Sequence, residues 1–415
     1  MTSVIVGLIV ALIVALIVTG RTHLGGKKSG SSQPMYTALG GSNTCGHGLK
    51  NSKSDAFQQL ILRGLVKRQV AFRLQPSCIP AMGPDYSASC LNYFVPNTTR
   101  YATLEFTPNL GEGHELERNA LHLEQMARAL MARGVYSVLI SLVPHPPACE
   151  SCAHGFLLGH NKALQVARRT GLPLVTNKYS AEPGHWSTDF KHLNELGHRI
   201  IADAVLAAFD GTANTREEVG GGDRNDGHPY TVHADDVQLP ACVFGADLEP
   251  LMLPGSRGFA LTWQAGRYRD KPGLLTTQPN SLLRMCLRKL PPAFGVSLAL
   301  DRSDVLPMSN LTLGCEKPCV CPLELLSNGD WTLRYKGKGG RRATESYMHR
   351  IFGSRRTGMG KEASSCDCVL NVRNTARIDD PNARAKINGL VAGGSDMIGW
   401  ANRFHMGLNP NVLSG

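Results

Sequence analysis

An alternation of short apolar runs and longer amphipathic runs between residues 34 and 210 constrains the fold more than any other feature of the chain. Tyr136–Val143 (YSVLISLV) is a continuous apolar run of the kind that is buried on both faces of a parallel sheet. Shorter candidate strands lie at Met35–Leu39, Tyr101–Phe106 and Pro173–Val175. Helical periodicity predicts helices over Asp55–Arg68, His114–Arg133, Gly155–Thr170 and the later part of Asp189–Phe209. This alternation predicts an α/β domain with a parallel sheet.

An aspartate and a histidine, three residues apart, precede the last predicted helix. Residues 189–198 read DFKHLNELGH, with Asp189 and His192 in a loop and Asn194 as a typical helix-capping residue. The helix has apolar residues at helical spacing, namely Leu196, Ile200, Ile201 and Ala204. If the helix docks on the sheet, it holds the loop in place. A histidine held in this way can accept a proton from a nucleophile while the carboxylate stabilises the imidazolium.

A serine in a glycine-rich turn follows the first predicted strand. Gly40, Gly41 and Ser42 occupy the position where the strand should end, and glycines allow a tight turn and a close approach of substrate. By itself such a turn is equally typical of an ordinary connection. In the same chain as Asp189 and His192, it makes Ser42 a candidate nucleophile.

These two segments resemble the first and final sequence blocks of the SGNH (GDSL-like) hydrolases, in which the final block supplies both the Asp and the His of a serine triad. The resemblance covers about residues 34–209. It implies a three-layer α/β/α fold and a serine esterase with Ser42, His192 and Asp189 as catalytic residues and with no cofactor. The chain departs from the family where the usual Gly-Asp-Ser is Gly40-Gly41-Ser42. The missing aspartate supports the turn and makes no bond to substrate, so Ser42 is still expected to be the nucleophile.

The resemblance also implies an oxyanion hole that consists of the Ser42 N–H, the Gly83 N–H and the side-chain amide of Asn109. Such donors stabilise the charge that develops on a carbonyl oxygen. Gly83 follows the first helix and Asn109 follows the second strand, in the expected order. The family pattern Gly-x-Asn-Asp is here Thr-Pro-Asn-Leu, so only the asparagine matches. For both residues an ordinary turn remains the alternative interpretation, and His47 and His198, beside the motifs, are expected to pack or to form hydrogen bonds.

The cysteines leave two interpretations open. The chain has 12 of them, and zinc sites require well-spaced pairs of thiolate or imidazole ligands. One group combines Cys149 and Cys152 with the nearby His145 and His154; the other consists of Cys315, Cys319, Cys321, Cys366 and Cys368. The second group is irregularly spaced, so disulfides are the simpler prediction and no metal is expected. Cys78 and Cys90 flank Gly83 and are candidates for a bridge across that loop.

The N-terminal sequence predicts an uncleaved signal-anchor, with a cleaved signal peptide as the alternative, because no convincing cleavage site follows the apolar run. The run Val4–Thr19 carries no charge. Its length is at the short end of the ~17–25 residues that span a bilayer. Basic residues after the run would leave the chain in the cytosol by the positive-inside rule. The cysteines and two glycosylation sequons, at Asn97 and Asn310, favour the lumen instead. We therefore expect a single-pass protein of the secretory pathway, in the Golgi or at the cell surface, with a lumenal catalytic domain.

The net charge of +11 at pH 7 could attract nucleic acid. The charge is spread along the chain and no aromatic-rich basic module accompanies it, so no nucleic-acid partner is expected. Beyond residue 236 the texture changes to short apolar runs between turn residues, as at Phe259–Trp263, Val296–Leu300, Trp331–Tyr335 and Cys368–Val372. This texture predicts a small β-rich domain of sandwich type.

The predicted organisation has six segments: a transmembrane signal-anchor at 1–20, a flexible stalk at 21–33, an SGNH-like hydrolase domain at 34–210, a linker at 211–236, a β-rich domain at 237–374 and a tail of unknown structure at 375–415. The expected activity is hydrolysis of carboxylic esters, especially O-acyl or O-acetyl esters on carbohydrate, or of another small ester. One alternative is an O-acyltransferase with the same triad. Another is an inactive glycan-binding module with an SGNH fold, which the poor match around Asn109 favours.

Overall fold

The computed structural model describes most of the chain between residues 33 and 394. The described ranges are 33–68, 72–80, 82–143, 150–177, 183–189, 191–211, 241–263, 272–288, 290, 293–303, 309–317, 319–321, 324–326, 344–356, 366–378 and 384–394. The predicted anchor at Val4–Thr19, residues 21–32 of the stalk, residues 212–236 of the linker and the predicted strand at Trp331–Tyr335 lie outside these ranges. Within them, no helix has the length and apolar character needed to cross a bilayer.

The N-terminal region alternates strands and helices as predicted. Its strands are β1 Met35–Gly40, β2 Arg73–Cys78, β3 Thr99–Glu105, β4 Tyr136–Ser141 and β5 Leu174–Thr176. Its helices are α1 Ser52–Asp55, α2 Phe57–Arg68, α3 Pro84–Ser89, α4 Leu91–Phe94, α5 Gly113–Ala132, α6 Glu150–Thr170 and α7 Glu195–Phe209, with single 3₁₀ turns at Thr107–Asn109 and Pro183–His185.

The five strands form one parallel sheet in the order β2-β1-β3-β4-β5. Helices cover both faces because the strands alternate buried apolar side chains between the two faces. One face packs against α2 and α7 and contributes Tyr36, Ala38, Val138 and Ile140 to a core with Phe57, Ile61 and Val205. The other face packs against α3, α5 and α6 and contributes Leu39, Leu104 and Leu139. The three-layer α/β/α prediction is confirmed.

Helix α7 begins where the sequence indicates, but its buried face is shifted away from Leu196. Asn194 is the N-cap, and its Oδ1 accepts the Gly197 N–H at 3.0 Å. The predicted contact residue Leu196 is 48% exposed, whereas the buried residues of this helix are Gly197, His198, Ile201, Ala202, Val205, Leu206 and Ala208. Ile201 is therefore buried as predicted, whereas the prediction was wrong for Leu196. The small Gly197 is what allows close packing here, since a Cβ at that position would lie 2.4 Å from the His185 carbonyl oxygen.

Strand β2 is absent from the sequence-based prediction. It forms one edge of the sheet, paired only with β1 among the described strands. Its sequence, RLQPSC, has mostly partly exposed side chains and contains Pro76, which is tolerated at an edge because it has no N–H to donate. An edge strand of this kind gives neither the apolar run nor the alternation that identifies a buried strand.

The C-terminal region is built from antiparallel strands in two sheets. Its strands are β6 Ala241–Phe244, β7 Ala260–Trp263, β8 Pro272–Thr276, β9 Leu282–Leu287, β10 Ala293–Ser303, β11 Leu311–Glu316, β12 Cys319–Val320, β13 Glu324–Leu326, β14 Thr344–Arg356, β15 Cys368–Asn374 and β16 Ala385–Gly394. One sheet has the order β12-β14-β10-β16-β8-β7, with β6 also paired to β16, and the other has the order β13-β11-β15-β9. Side chains from both sheets share one apolar core, which includes Leu298, Leu313, Leu370 and Ile387. This arrangement agrees with the predicted β-rich domain.

Strand β16 corrects the expectation for residues 375–415. It lies beyond the predicted end of the β-rich domain at Asn374, yet it pairs with β10 on one side and with β6 and β8 on the other. Side chains on both faces of the strand are buried, including Lys386 at 1% and Ile387 at 0% exposure. A strand buried on both faces shows no polar–apolar alternation, which is why the sequence pattern did not reveal it.

The predicted disulfide between Cys78 and Cys90 does not form, because each cysteine is paired with another one. Cys78 is joined to Cys45, and Cys90 is joined to Cys242. The other disulfides of the described residues are Cys286–Cys366, Cys315–Cys321 and Cys319–Cys368. The prediction of disulfides is confirmed, but the pairing differs because contacts between elements, and not spacing in the chain, decide which thiols meet.

The two regions are joined by a covalent bond and by aromatic packing. The Cys90–Cys242 bond links the junction between α3 and α4 to β6. Next to it, the ring of Phe244 lies 5.2 Å from that of Phe94 and 6.0 Å from those of Tyr86 and Tyr93, measured between centroids. The first strand of the β-rich region is therefore fixed to the α/β region, on the side of α3 and α4.

Candidate active site

The sheet order places the predicted site at a point where the chain reverses direction across the sheet. β1 and β3 are neighbours, and the connection that leaves β1 runs to β2 on one side whereas the connection that leaves β3 runs to β4 on the other. In open parallel sheets, a crevice forms at such a point beyond the carboxyl ends of the strands. Ser42 follows β1 and Asn109 follows β3, so both lie beyond the carboxyl ends of these strands.

Ser42, His192 and Asp189 form a continuous chain of hydrogen bonds. The Ser42 hydroxyl lies 2.9 Å from His192 Nε2, and His192 Nδ1 lies 2.7 Å from Asp189 Oδ2. The side chains of His192 and Asp189 are 21% and 28% exposed, so the pair is reachable from solvent but largely enclosed. Two segments 150 residues apart in the sequence thus meet with the geometry of an activated serine.

Asp189 is held as an anion that orients the histidine. Partial burial acts to raise the pKa of this carboxyl, but the hydrogen bond and charge of His192 outweigh it. The Lys191 N–H and the Ser187 hydroxyl donate to Oδ1 at 2.9 and 2.7 Å, and they lower the pKa further. The net result is a pKa well below the ordinary aspartate value. The Asp189 carboxylate is therefore ionised at neutral pH and can hold the proton of His192 Nδ1.

Gly41 makes room for the side chain of Asn109. A Cβ at position 41 would lie 2.1 Å from Asn109 Nδ2, so any side chain there would displace the amide. Asn109 Nδ2 is buried and has no hydrogen-bond partner among the described residues. An unsatisfied buried donor costs about 1–3 kcal/mol. A donor left without a partner beside Ser42 is available to an oxygen atom of a ligand.

Gly83 lies against the same asparagine. It caps the amino end of α3, and a Cβ on it would lie 3.1 Å from the Asn109 carbonyl oxygen and 3.2 Å from Asn119 Nδ2. Asn119, on α5, donates from Nδ2 to the Leu110 carbonyl oxygen at 3.1 Å and so supports the turn that carries Asn109. Three residues were predicted to form an oxyanion hole: Ser42, Gly83 and Asn109. All three therefore lie near the carboxyl ends of β1 and β3.

Glu105 supports the turn of the predicted nucleophile and has no counterpart in the sequence analysis. This residue ends β3, is completely buried, and accepts hydrogen bonds at Oε2 from the Thr44 hydroxyl at 2.9 Å and the Thr44 N–H at 3.2 Å. Burial raises its pKa to about 8, although the bonds from Thr44 and from the Gly41 backbone oppose the rise. The sequence signal that could have identified Glu105 is a charged residue at the end of an otherwise apolar strand (YATLEF).

His47 and His198 occupy the supporting positions expected for them. The ring of His47 lies 5.6 Å from that of His192, between centroids. His198 Nδ1 accepts the Phe57 N–H at 3.1 Å at the start of α2, and burial lowers the pKa of this histidine to about 3. His198 is therefore neutral and joins α7 to α2.

No cluster of three or more metal-ligating side chains occurs in the described part of the chain. His192, Asp189 and Ser42 are engaged with one another at hydrogen-bond distances. This constellation is suited to nucleophilic attack assisted by a general base.

Comparisons with known proteins add information about the fold. No protein-family model and no curated protein matches the sequence. The chain is similar to the crystal structure of a two-domain esterase active on acetylated mannans, with a TM-score of 0.53 and 14% identity over 88% of this chain and 93% of that one. The structure of that esterase co-crystallised with mannopentaose gives a TM-score of 0.52 and 13% identity over 87% and 91%. These likenesses confirm the predicted SGNH hydrolase-like fold with a second domain.

Proposed function

We propose that this chain, which has an SGNH hydrolase-like fold, is a serine esterase that hydrolyses carboxylic esters. The observation that carries the proposal is the hydrogen-bond chain from Asp189 through His192 to Ser42, with distances of 2.7 and 2.9 Å. The unpartnered amide of Asn109 beside the nucleophile turn gives further support.

Acylation begins when Ser42 Oγ attacks the ester carbonyl carbon and its proton passes to His192 Nε2. The Asp189 carboxylate stabilises the imidazolium that forms. The carbonyl oxygen becomes an oxyanion, which accepts hydrogen bonds from the Ser42 N–H, the Gly83 N–H and the Asn109 amide. When the tetrahedral intermediate collapses, the bond to the alcohol oxygen breaks, and that oxygen takes the proton from His192. The products of this half-reaction are a free alcohol and acyl-Ser42.

Deacylation repeats these steps with water. His192 Nε2 removes a proton from water as the water oxygen attacks the acyl carbon, and the same donors stabilise the second oxyanion. The bond to Ser42 Oγ then breaks, and the serine takes back its proton from His192. The acid is released. If a sugar hydroxyl replaces water in this step, the same residues catalyse acyl transfer.

We propose O-acyl groups, especially acetyl groups, on carbohydrate as the substrate class. The support is the two-domain esterase active on acetylated mannans, which has a similar arrangement of two domains. The test is to measure acetate release from acetylated mannan by the full chain and by Ser42→Ala. Release that is catalysed by the wild type and lost in the variant supports this substrate. Hydrolysis of small aryl esters without release of acetate from mannan would exclude it.

The proposed catalytic group is tested with p-nitrophenyl acetate. We expect Ser42→Ala and His192→Ala to lower kcat by at least about 10³-fold, because each removes a member of the acyl-transfer unit. The matched control is His47→Ala, which removes a ring that packs next to that of His192; its kcat should fall much less than that of either triad variant. A variant without Ser42 that retains wild-type kcat would refute the role of Ser42 as nucleophile. A folded wild type that does not hydrolyse the ester would leave the glycan-binding module as the better interpretation.

We also propose that the catalytic domain lies in the lumen of the secretory pathway or outside the cell, anchored through Val4–Thr19. The disulfides of the described residues support an oxidising compartment. Protease digestion of sealed vesicles that contain the full chain tests this topology. Protection of the catalytic domain supports it, and digestion of the domain without detergent contradicts it.

A further inference from the structure

Asn43 connects the two segments that carry the proposed triad. Its side chain is 1% exposed. Nδ2 donates to the Lys191 carbonyl oxygen at 3.2 Å, and Oδ1 accepts the Leu193 N–H at 2.9 Å. Lys191 and Leu193 are the chain neighbours of His192. One buried amide therefore holds the backbone on both sides of the histidine.

We propose that Asn43 is a positioning residue that aligns His192 with Ser42, a role that rests on the proposed esterase function. The alignment requires a connection of this kind. Asp189 is three residues from His192 and orients its ring within their common loop. That local bond does not determine where the loop lies relative to Ser42. Asn43 does so, because it is covalently adjacent to Ser42 and hydrogen-bonded to the loop.

The turn that carries Asn43 is itself firmly held. The His47 N–H donates to the Ser42 carbonyl oxygen at 2.9 Å, and the Gly46 N–H donates to the Asn43 carbonyl oxygen at 3.0 Å. Thr44 is anchored to Glu105, and Cys45 is joined to Cys78. A side chain that projects from such a turn transmits a fixed position to its partners.

The loop on the other side is also in close contact with this turn. Gly48 has a φ of +91°, and a Cβ on it would lie 2.9 Å from His192 Cβ and 3.0 Å from the Leu193 carbonyl oxygen. This contact limits how closely the two segments approach. It does not set their direction as a pair of hydrogen bonds does. Packing at Gly48 and the amide of Asn43 therefore have different roles.

The test uses the full chain and Asn43→Ala. We expect kcat for p-nitrophenyl acetate to fall by about 100-fold while KM changes less than about threefold, because a small displacement of a catalytic group affects the reacting geometry more than binding. Asn43→Asp retains an acceptor for the Leu193 N–H but places a carboxylate oxygen against the Lys191 carbonyl. Asn43→Asp should lower kcat by less than Asn43→Ala does. If Asn43→Ala does not fold, the kcat of Asn43→Asp decides whether Asn43 is a positioning residue.

The matched control is Thr37→Val, which removes another buried hydrogen bond of the same sheet. Thr37 lies within β1 and is 0% exposed, and its hydroxyl lies 2.9 Å from that of Thr99, the first residue of β3, whereas Ser42 follows the other end of β1. We expect this variant to lose thermal stability but to retain kcat within about twofold, since it leaves the site geometry unchanged. The NMR signal of the proton between His192 and Asp189 should shift or broaden in the Asn43 variants alone.

Several results distinguish failure of this inference from failure of the proposed function. If Asn43→Ala retains kcat within about threefold, or if Thr37→Val loses kcat to the same degree at equal loss of Tm, Asn43 has only a structural role. If the wild type is no faster than Ser42→Ala, the esterase proposal fails, and the role of Asn43 fails with it.

Discussion

Glu105→Gln should remove a pH dependence of stability that originates under the nucleophile turn. The carboxyl is completely buried, and burial raises its pKa from 4.5 to about 8. Below pH 4.5 the group is protonated in both the folded and the unfolded chain, so it carries no penalty. As the pH rises toward 8, the unfolded chain loses this proton while the folded chain keeps it. The free energy of unfolding therefore decreases with pH in this range.

The magnitude follows from the change in pKa. At about 1.4 kcal/mol per pH unit, the rise from 4.5 to about 8 corresponds to about 5 kcal/mol of stability lost by pH 8 and above. Glutamine cannot ionise and retains an oxygen acceptor for the N–H and hydroxyl of Thr44. The glutamine amide changes the free energy of unfolding by the same amount at all pH values. The predicted effect is therefore a difference in pH dependence, by about 2–3 kcal/mol between pH 5.5 and pH 7.5.

The assay is urea unfolding at a series of pH values, followed by tryptophan fluorescence, for the wild type and Glu105→Gln. Trp186, which is 5% exposed, reports on the hydrolase-like region. The control is Glu117→Gln, because the Glu117 side chain is 64% exposed and should leave the wild-type pH dependence intact. Equal pH dependence in the wild type and Glu105→Gln would refute the argument, since it would mean that Glu105 ionises as freely in the folded chain as in the unfolded one.

Three further changes test the geometry around the site. Gly41→Asp, which recreates the usual family sequence, should lower kcat by at least about 10-fold. The new Cβ would overlap the Asn109 amide and displace an oxyanion donor. Wild-type esterase kinetics in this variant would contradict that account. Gly48→Ala should lower kcat with little change in KM, since its Cβ would press on His192 and the backbone there has a φ of +91°; unchanged kcat would show that the loop yields without cost. Replacing both members of the Cys45–Cys78 disulfide, whose cysteines are 33 residues apart, by serine should destabilise the chain by about 3–4 kcal/mol; an unchanged urea midpoint under oxidising conditions would contradict this.

The sequence predicted the parts of the fold that depend on local pattern. Tyr136–Ser141 is apolar on both faces and proved to be a central strand, and Asn194 capped its helix as expected. The residues of the candidate triad could be named because each belongs to a short motif. What the sequence could not give was the face through which α7 docks, because Leu196 is apolar and yet exposed.

Other features depend on contacts between distant segments and leave no local pattern. Strands β2 and β16 escaped prediction for opposite reasons: β2 lies at an edge with exposed side chains, and β16 is buried on both faces although it contains Lys386 and Asn388. The role proposed for Asn43 depends on partners about 150 residues away. The cysteine pairing likewise required the fold.

Identification of the residue modified by a fluorophosphonate probe tests the central claim most directly. Such probes form a stable covalent bond with an activated serine hydroxyl. After the full chain reacts, peptide mass spectrometry should locate the adduct on Ser42, at one adduct per chain. His192→Ala, which retains the serine but lacks its base, should not be labelled at a comparable rate. A well-folded wild type that is not modified, or an adduct on a different serine, would contradict the account.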